Sequence, residues 1–366
     1  MKLLVKYLFF FLFITLGTRT FAQGSFAISG TVADEKGVTL PGATVFLSGT
    51  KKMTATSTEG KFNIGQLAPG TYEVSVSMVG FEPYAQTVVV KASSVIANVV
   101  MRVKTNQLNE VTIRVTDPTE RRTHLALFRN AFLGTTENGR SCTIINPDVL
   151  SFTFDKKEAI LRAEASDIVL VENKNLGYRI KYLLKYFAYD MRANRILYHG
   201  EPSFEDLDGN EKDKKRWAEH RAETYKYSMM HFLRSVYAGN SVAEGFVVYV
   251  VNSTHPDLTG RVVIDAEPES SDPSKFVTVL DTSFVSFKFN KLYIMHAPSK
   301  AAKKDAALSL RNHMLDYNNK GTIIELMATE AVIDRRGSYA NFKTFFIQGG
   351  IADKQVGDRL PFEYQP

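Results

Sequence analysis

Pro69-Gly70-Thr71-Tyr72-Glu73-Val74-Ser75-Val76-Ser77-Met78 opens on a turn dipeptide and then alternates large apolar and small polar side chains with a period of two. That is the pattern of a strand with one face against a core. The same grammar extends outward on both sides. Ile28 to Ala33 alternates and is turned by Asp34-Glu-Lys-Gly37; Pro41-Gly42 opens Ala43 to Leu47; Thr54 to Ser57 leads through Thr58-Glu-Gly60 into Lys61 to Ile64. Downstream, Val79-Gly80 precedes Gln86 to Val90, and Val95 to Val103 closes the set. Seven short strands with turns this closely spaced predict an all-β sandwich. Gly30, Pro41, Gly42, Gly60, Pro69, Gly70 and Gly80 are expected to be structural turn residues, each glycine supplying a positive φ that other residues resist.

Ahead of the sandwich, Lys2 and Lys6 precede the apolar run Leu8 to Leu16, and Thr20-Phe21-Ala22 stands before Gln23. This is the pattern of a secretory signal peptide, residues 1–22, cleaved between Ala22 and Gln23. The apolar run is well short of the ~20 residues that cross a bilayer, so no transmembrane segment is expected after its removal. The formal charge of +6 is inflated by the signal. Removing Lys2, Lys6 and Arg19 from the 45 basic residues leaves 42 against 39 acids, a net of +3. That balance offers no electrostatic footprint for nucleic acid. One cysteine, Cys142, excludes an intrachain disulfide; its apolar neighbours Ile144 and Ile145 make it a buried small hydrophobe in expectation.

After Asp117-Pro118 the pattern changes. Leu125, Phe128, Phe132 and Leu133 recur at helical spacing and predict a helix over 119–133. Strand-like runs come next at 143–145, 150–154, 159–163, 168–171 and 178–189. A long Lys-, Arg-, Glu- and Ala-rich helix is predicted over 211–237, ended by Gly239. Further strands are expected at 246–251, 261–264, 284–289, 292–295, 322–327, 331–333 and 343–347, with loops at 268–273 and 298–302. The organisation expected is therefore signal 1–22, sandwich 24–104, linker 105–118, and an α+β domain over 119–366 dominated by antiparallel strands.

Ile28-Ser-Gly-Thr-Val-Ala-Asp-Glu-Lys-Gly37, Leu40-Pro-Gly-Ala-Thr-Val45, Ser57-Thr-Glu-Gly-Lys-Phe62, Leu67-Ala-Pro-Gly-Thr-Tyr72 and Val79-Gly-Phe81 together resemble the carboxypeptidase-regulatory-like domain. The resemblance implies a prealbumin-like sandwich, a fold grouped with carbohydrate-binding-like modules, and no hydrolysis by the module itself. Gln107-Leu-Asn-Glu-Val-Thr-Ile113 is similar to the segment that comes after this domain in outer-membrane nutrient transporters of the starch-utilisation type. A barrel of 22 strands at about 10 residues each would consume most of the remaining chain, so a transporter is not expected. Phe132-Leu-Gly-Thr-Thr136, Ile145-Asn-Pro-Asp-Val-Leu150, Asn175-Leu-Gly-Tyr178 and His231-Phe-Leu-Arg-Ser235 resemble the region that accompanies the module in bacterial envelope proteins, and imply no activity.

The chemistry-bearing motifs are few. His220-Arg-Ala-Glu223 has the HxxE spacing of two zinc ligands, but a catalytic zinc needs a third ligand and a base; on a charged helix the pair reads as a solvated i, i+3 contact. Asp206-Leu-Asp-Gly-Asn-Glu211 begins like a calcium loop, yet Glu211 and Trp217 stand where the loop needs glycine and an acid; a hairpin-like turn on Asp208-Gly209 accounts for it. Trp217, Tyr225, His231 and Arg234 form an aromatic stripe that packs on the sheet or, as a candidate binding surface, stacks on a glycan or peptide. No catalytic residue, resident metal or cofactor is expected. The reading is a non-catalytic protein of the periplasm or outer membrane of a Gram-negative bacterium, binding an envelope protein or a glycan. Two competitors stand beside it: a carbohydrate-binding accessory of nutrient uptake, and a zinc hydrolase built on His220 and Glu223.

Overall fold

Eight strands form the first lobe: β1 (Phe26–Asp34), β2 (Thr44–Leu47), β3 (Met53–Ala55), β4 (Lys61–Leu67), β5 (Gly70–Ser77), β6 (Tyr84–Val90), β7 (Val95–Ile96) and β8 (Val99–Met101). In this computed structural model, which describes residues 25–104, 117–256, 262–267, 271–297, 313–314, 321–339 and 342–366, they make two sheets. One has β1 between β4 and the pair β7 and β8; the other runs β3-β2-β5-β6. The alternation seen in sequence puts Ile28, Val32, Val45, Val74 and Val76 between the sheets, each fully excluded from solvent. Burying each such side chain contributes about 1.5–3 kcal/mol, which is what holds a lobe without disulfides.

The sandwich is as expected, with two corrections. The seventh strand is broken into β7 and β8, because Ala97 N–H bonds Ser29 O and Asn98 Oδ1 takes Thr31 N–H. Gly30 and Gly70 are not turn residues but lie within β1 and β5. What they allow is close approach: a Cβ on Gly30 would stand 2.1 Å from Ala97 O, and one on Gly70 would stand 2.7 Å from Arg336 Nη2 and Asp334 Oδ2. Gly42, Gly60 and Gly80 do take positive φ. The signal peptide with its Ala22–Gln23 junction, and nearly all of the linker, lie outside the described residues.

The second lobe begins at α1 (Pro118–Leu133), where Asp117 is not a mere break but the N-cap, accepting from Thr119 N and Glu120 N with Pro118 in the first turn. A short α2 (Glu137–Ser141) comes next, and then β9 (Cys142–Ile144), β10 (Leu150–Asp155), β11 (Ile160–Ala165), β12 (Val169–Asn173), β13 (Tyr178–Asp190) and β14 (Arg195–Asp206). β14 pairs along the whole of β13; the opposite edge of β13 is shared by β12 at its start and β11 at its end. Phe128 and Phe132 of α1 pack edge-on against Phe187 and Tyr182.

The predicted helix over 211–237 is two helices, α3 (Glu211–Tyr225) and α4 (Met229–Ala238). They are parted at Tyr227, whose φ of 52° is left-handed, and Ser228 caps α4. The third lobe carries β15 (Phe246–Pro256), β16 (Val262–Ala266), β17 (Val277–Val279), β18 (Phe284–Phe287), β19 (Lys291–His296), β20 (His313–Met314), β21 (Thr322–Leu326), β22 (Ala331–Asp334) and β23 (Phe345–Gly349). A six-stranded antiparallel sheet, β20-β16-β15-β19-β21-β23, faces a three-stranded one, β17-β18-β22. Phe232 of α4 packs edge-on against Phe246 of the one and Phe287 of the other. The described residues of 119–366 hold three hydrophobic clusters, one before the α3–α4 break and two after it, and the C-terminal tail returns Val356 and Leu360 to the first of them. None of the described helices is long and apolar enough to cross a membrane.

Two junctions fasten the sandwich to the second and third lobes. The turn after β2 lies along the outer edge of β14: Gly49 N–H bonds Pro202 O at 2.7 Å and Phe204 N–H bonds Thr50 O at 2.9 Å. On its other side Phe362 N–H bonds Gly49 O at 2.8 Å, so an edge that would otherwise be open is covered. Gly49 has φ 74°, and a Cβ there would meet the Phe362 ring at 2.4 Å. The second junction is at Gly70 and Thr71. Asp334, wholly buried, accepts from Thr71 N at 3.0 Å and pairs with Arg336 at 2.6 Å. Arg336 in turn donates to Thr71 O at 2.6 Å and lies over the Tyr72 ring at 3.9 Å.

Candidate functional site

Between these junctions the three lobes enclose a half-open cavity of about 950 Å³. Glu73 and Thr87 reach it from the outer face of the sandwich, Tyr182 and Lys185 from β13, and Tyr198, His199 and Glu201 from β14. The third lobe adds Ser338 and Tyr339, and the C-terminal tail adds Asp358 and Arg359. Volume and mixed lining are those of a small-molecule site.

Most of its ionic groups are matched. Glu201 is buried and takes Lys185 Nζ at 2.9 Å. Glu73 accepts from Thr87 Oγ1 at 2.7 Å, and burial pushes its carboxyl above the usual range. Asp358 accepts from Thr136 and Asn138; burial raises it too, outweighing those two bonds. Lys354 donates to the carbonyls of Thr224 and Lys226. His199 is held below the ordinary histidine value, first by burial and then by the cations Lys185, Arg359 and Lys343, against the pull of Glu201. It is therefore neutral at pH 7.

Arg359 is different. It is exposed and lines the cavity. Tyr198 is hydrogen-bonded to Arg359, and Tyr182 and Tyr339 stand nearby. The guanidinium carbon lies 5.8 Å from the Tyr198 ring centre. No carboxylate of the described residues forms an ion pair with it.

The residues singled out in sequence are elsewhere. Trp217 is buried, its Nε1 donating to Lys174 O at 3.0 Å, its ring filling the space that Gly177 and Gly209 leave open. Tyr225 and His231 are buried, their rings tilted against each other at 4.8 Å. Arg234 donates to Arg336 O, Tyr364 O and Phe362 O. The candidate stacking surface is thus turned inward, and Arg234 serves to hold the C-terminal tail. His220 Nδ1 sits 3.0 Å from Asn175 O, while Glu223 pairs with Lys226 at 2.6 Å; the expected His220–Glu223 contact is replaced by these. Among the described residues no three His, Cys, Asp or Glu are gathered as metal ligands. The turn at Asp208-Gly209 is not a hairpin but a strand-to-helix junction: β14 ends at Asp206 and Asn210 caps α3, with Asp206 bound by Lys51 and Arg221. Cys142 is buried, and burial pushes its thiol up to about 12.

The first lobe, two sheets with glycine turns and a detailed strand pattern, decides the comparison with known families. Residues 28–113 match the CarboxypepD_reg-like domain. This is the module that the sequence motifs resemble, and it covers the first lobe and part of the segment after it. No curated protein matches the chain. Among solved structures, a cohesin–X-dockerin complex from Acetivibrio cellulolyticus aligns at 24% identity, over 21% of this chain and 56% of that one, with a TM-score of 0.19. The chain therefore spans little more than half of the length of that relative. The Bacillus anthracis TIE protein aligns at 13% identity over 51% of this chain and 32% of its own, TM-score 0.20. A streptococcal ancillary pilin aligns at 10% over 52% and 61%, TM-score 0.21. Likenesses of this size carry no argument about what the CarboxypepD_reg-like module or its companion lobes do here.

None of the cavity residues stands out in sequence. Glu73, Tyr198, Tyr339 and Arg359 are spread over nearly 290 positions, and only the packing of the lobes makes them neighbours.

Proposed function

We propose that this chain is an exported, non-catalytic binding and adaptor protein of a Gram-negative cell envelope, acting in the periplasm or at the outer membrane. The CarboxypepD_reg-like sandwich is its interaction module, and the cavity that the sandwich shares with the other two lobes receives the ligand. The observation that carries this reading is that all three lobes contribute walls to one cavity, so that the module is built into a binding body. The candidate groups read from the sequence support it by being engaged elsewhere: the Cys142 thiol is buried and held protonated, and His220 and Glu223 each bind partners outside any shared site.

Two measurements test it. Fractionation of cells expressing the full chain should recover it in the periplasmic or outer-membrane fraction with Gln23 at its N-terminus; cytoplasmic protein retaining Met1 overturns export. Purified protein should carry no stoichiometric zinc. One zinc per chain, lost in His220→Ala, replaces the binding reading with that of a hydrolase.

A further inference from the structure

We propose that the inter-lobe cavity recognises an amphipathic monoanion, a molecule with a single acid group that meets Arg359 and an apolar body that lies along Met229, Met230, Ile347, Ile351, Ala352 and Leu360. This rests on reading the cavity as the ligand site, and adds to it the ligand's chemical class.

Four other arginines set a contrast. Arg121 donates to the carbonyls of Pro147 and Leu150, Arg234 to those of the C-terminal tail, Arg221 reaches Asp206, and Arg336 is locked to Asp334. Each is spent on holding the fold. Arg359 lines the cavity, is hydrogen-bonded to Tyr198, and has no carboxylate partner among the described residues. Its guanidinium, exposed at the cavity wall, is open to a ligand entering the cleft. The planar guanidinium presents five N–H donors in a fork that fits an acid group, while the Tyr198 oxygen orients it.

The rest of the wall selects against other ligands. Lys185 and Glu201 neutralise each other, Lys354 is capped by backbone carbonyls, and His199 is held neutral at pH 7. A polyanion would meet the carboxyl groups of Glu73, Glu201 and Asp358 in the same wall. A neutral apolar molecule would gain nothing from Arg359. Methionine and branched side chains on the other walls suit an apolar body of adaptable shape, and the volume of about 950 Å³ admits one of a few rings or a medium-length chain.

The test uses anilinonaphthalene sulfonate and phenylnaphthylamine, which share one apolar body and differ by the sulfonate. Fluorescence titration of the full-length protein should show the anion bound more tightly than the neutral probe. Arg359→Gln should weaken the anion roughly 10- to 100-fold and leave the neutral probe unchanged; Arg359→Lys should recover part of the loss. Ala352→Phe, which fills the cavity, should weaken both probes. Arg102→Gln, removing an exposed cation of the sandwich, should alter neither. If Arg359→Gln leaves the anion's affinity intact while Ala352→Phe still weakens it, the cavity binds ligands and the anion inference is wrong. If Ala352→Phe affects neither probe, both the inference and the cavity reading fail. Thermal melts of each variant establish that it is folded.

Discussion

Replacing Asp334 by alanine removes a wholly buried carboxylate that receives Thr71 N, Arg336 N, and the Nε and Nη2 of Arg336. Arg336, whose side chain is only 12% exposed, is left as an unpaired cation against the sandwich. Breaking one side of a buried pair costs about 3–5 kcal/mol. In a unit of this size that lowers a melting transition by roughly 6–20 °C. The double substitution Asp334→Ala with Arg336→Met removes both charges; the backbone N–H groups of Thr71, of position 336 and of Ser338 lose this acceptor as they do in the single variant, but no unpaired cation is left behind. The double variant is therefore expected to be more stable than the single one. Differential scanning calorimetry is the suitable assay, since the one tryptophan, Trp217, lies outside the sandwich and a three-lobed chain need not unfold in one step. A loss within about 0.5 kcal/mol, the range of ordinary surface changes, would refute the clamp, as would a double variant less stable than Asp334→Ala.

Other consequences are as direct. Gly177→Ala places a Cβ at φ 66° and 2.1 Å from Trp217 Cδ2; strain and overpacking together should cost about 2–4 kcal/mol, and Trp217 emission should shift as its ring moves. His199 and His231 are both held below the ordinary histidine value of 6.5, first by burial, so the unfolded chain binds more protons near that pH. Stability should then fall as pH drops through about 6.5, and His199→Gln with His231→Gln should flatten the dependence of melting temperature on pH between 7 and 5 (roughly the window in which histidine titrates). Asp358 and Glu73, raised by burial above 3.8 and 4.5, have the opposite sign, their stabilising contribution being lost as pH rises through the folded values. Cys142, with its thiol pushed up to about 12, should resist a thiol reagent at pH 8 (about half a unit below a free thiol's ordinary value) in native protein and react fully once unfolded; fast native labelling would contradict its placement.

The amino-acid sequence by itself determined the first lobe. Alternation with period two and a turn signal at each reversal are local properties, and β1 to β6 fall where Ile28 to Val90 place them. It also determined the helix after Pro118 and the end of α4 at Gly239, since caps and helix stops act within one turn. The features it left open depend on partners distant along the chain. β14 was not expected, because Gly200-Glu201-Pro202 reads as a break; only the full length of β13 beside it makes a strand, with proline tolerated on that outer edge. The single helix expected over 211–237 is divided because Tyr227 bonds Ile294 O and meets Thr322 in the third lobe, a tertiary demand that overrides a favourable helical run. Gly30 and Gly70, read as turns, are glycine because another backbone or an ion pair presses against them. The cavity belongs to this second class altogether. Charge balance around Arg359 is a property of three lobes packed together, and a chain read residue by residue contains each charge but not the distance between them.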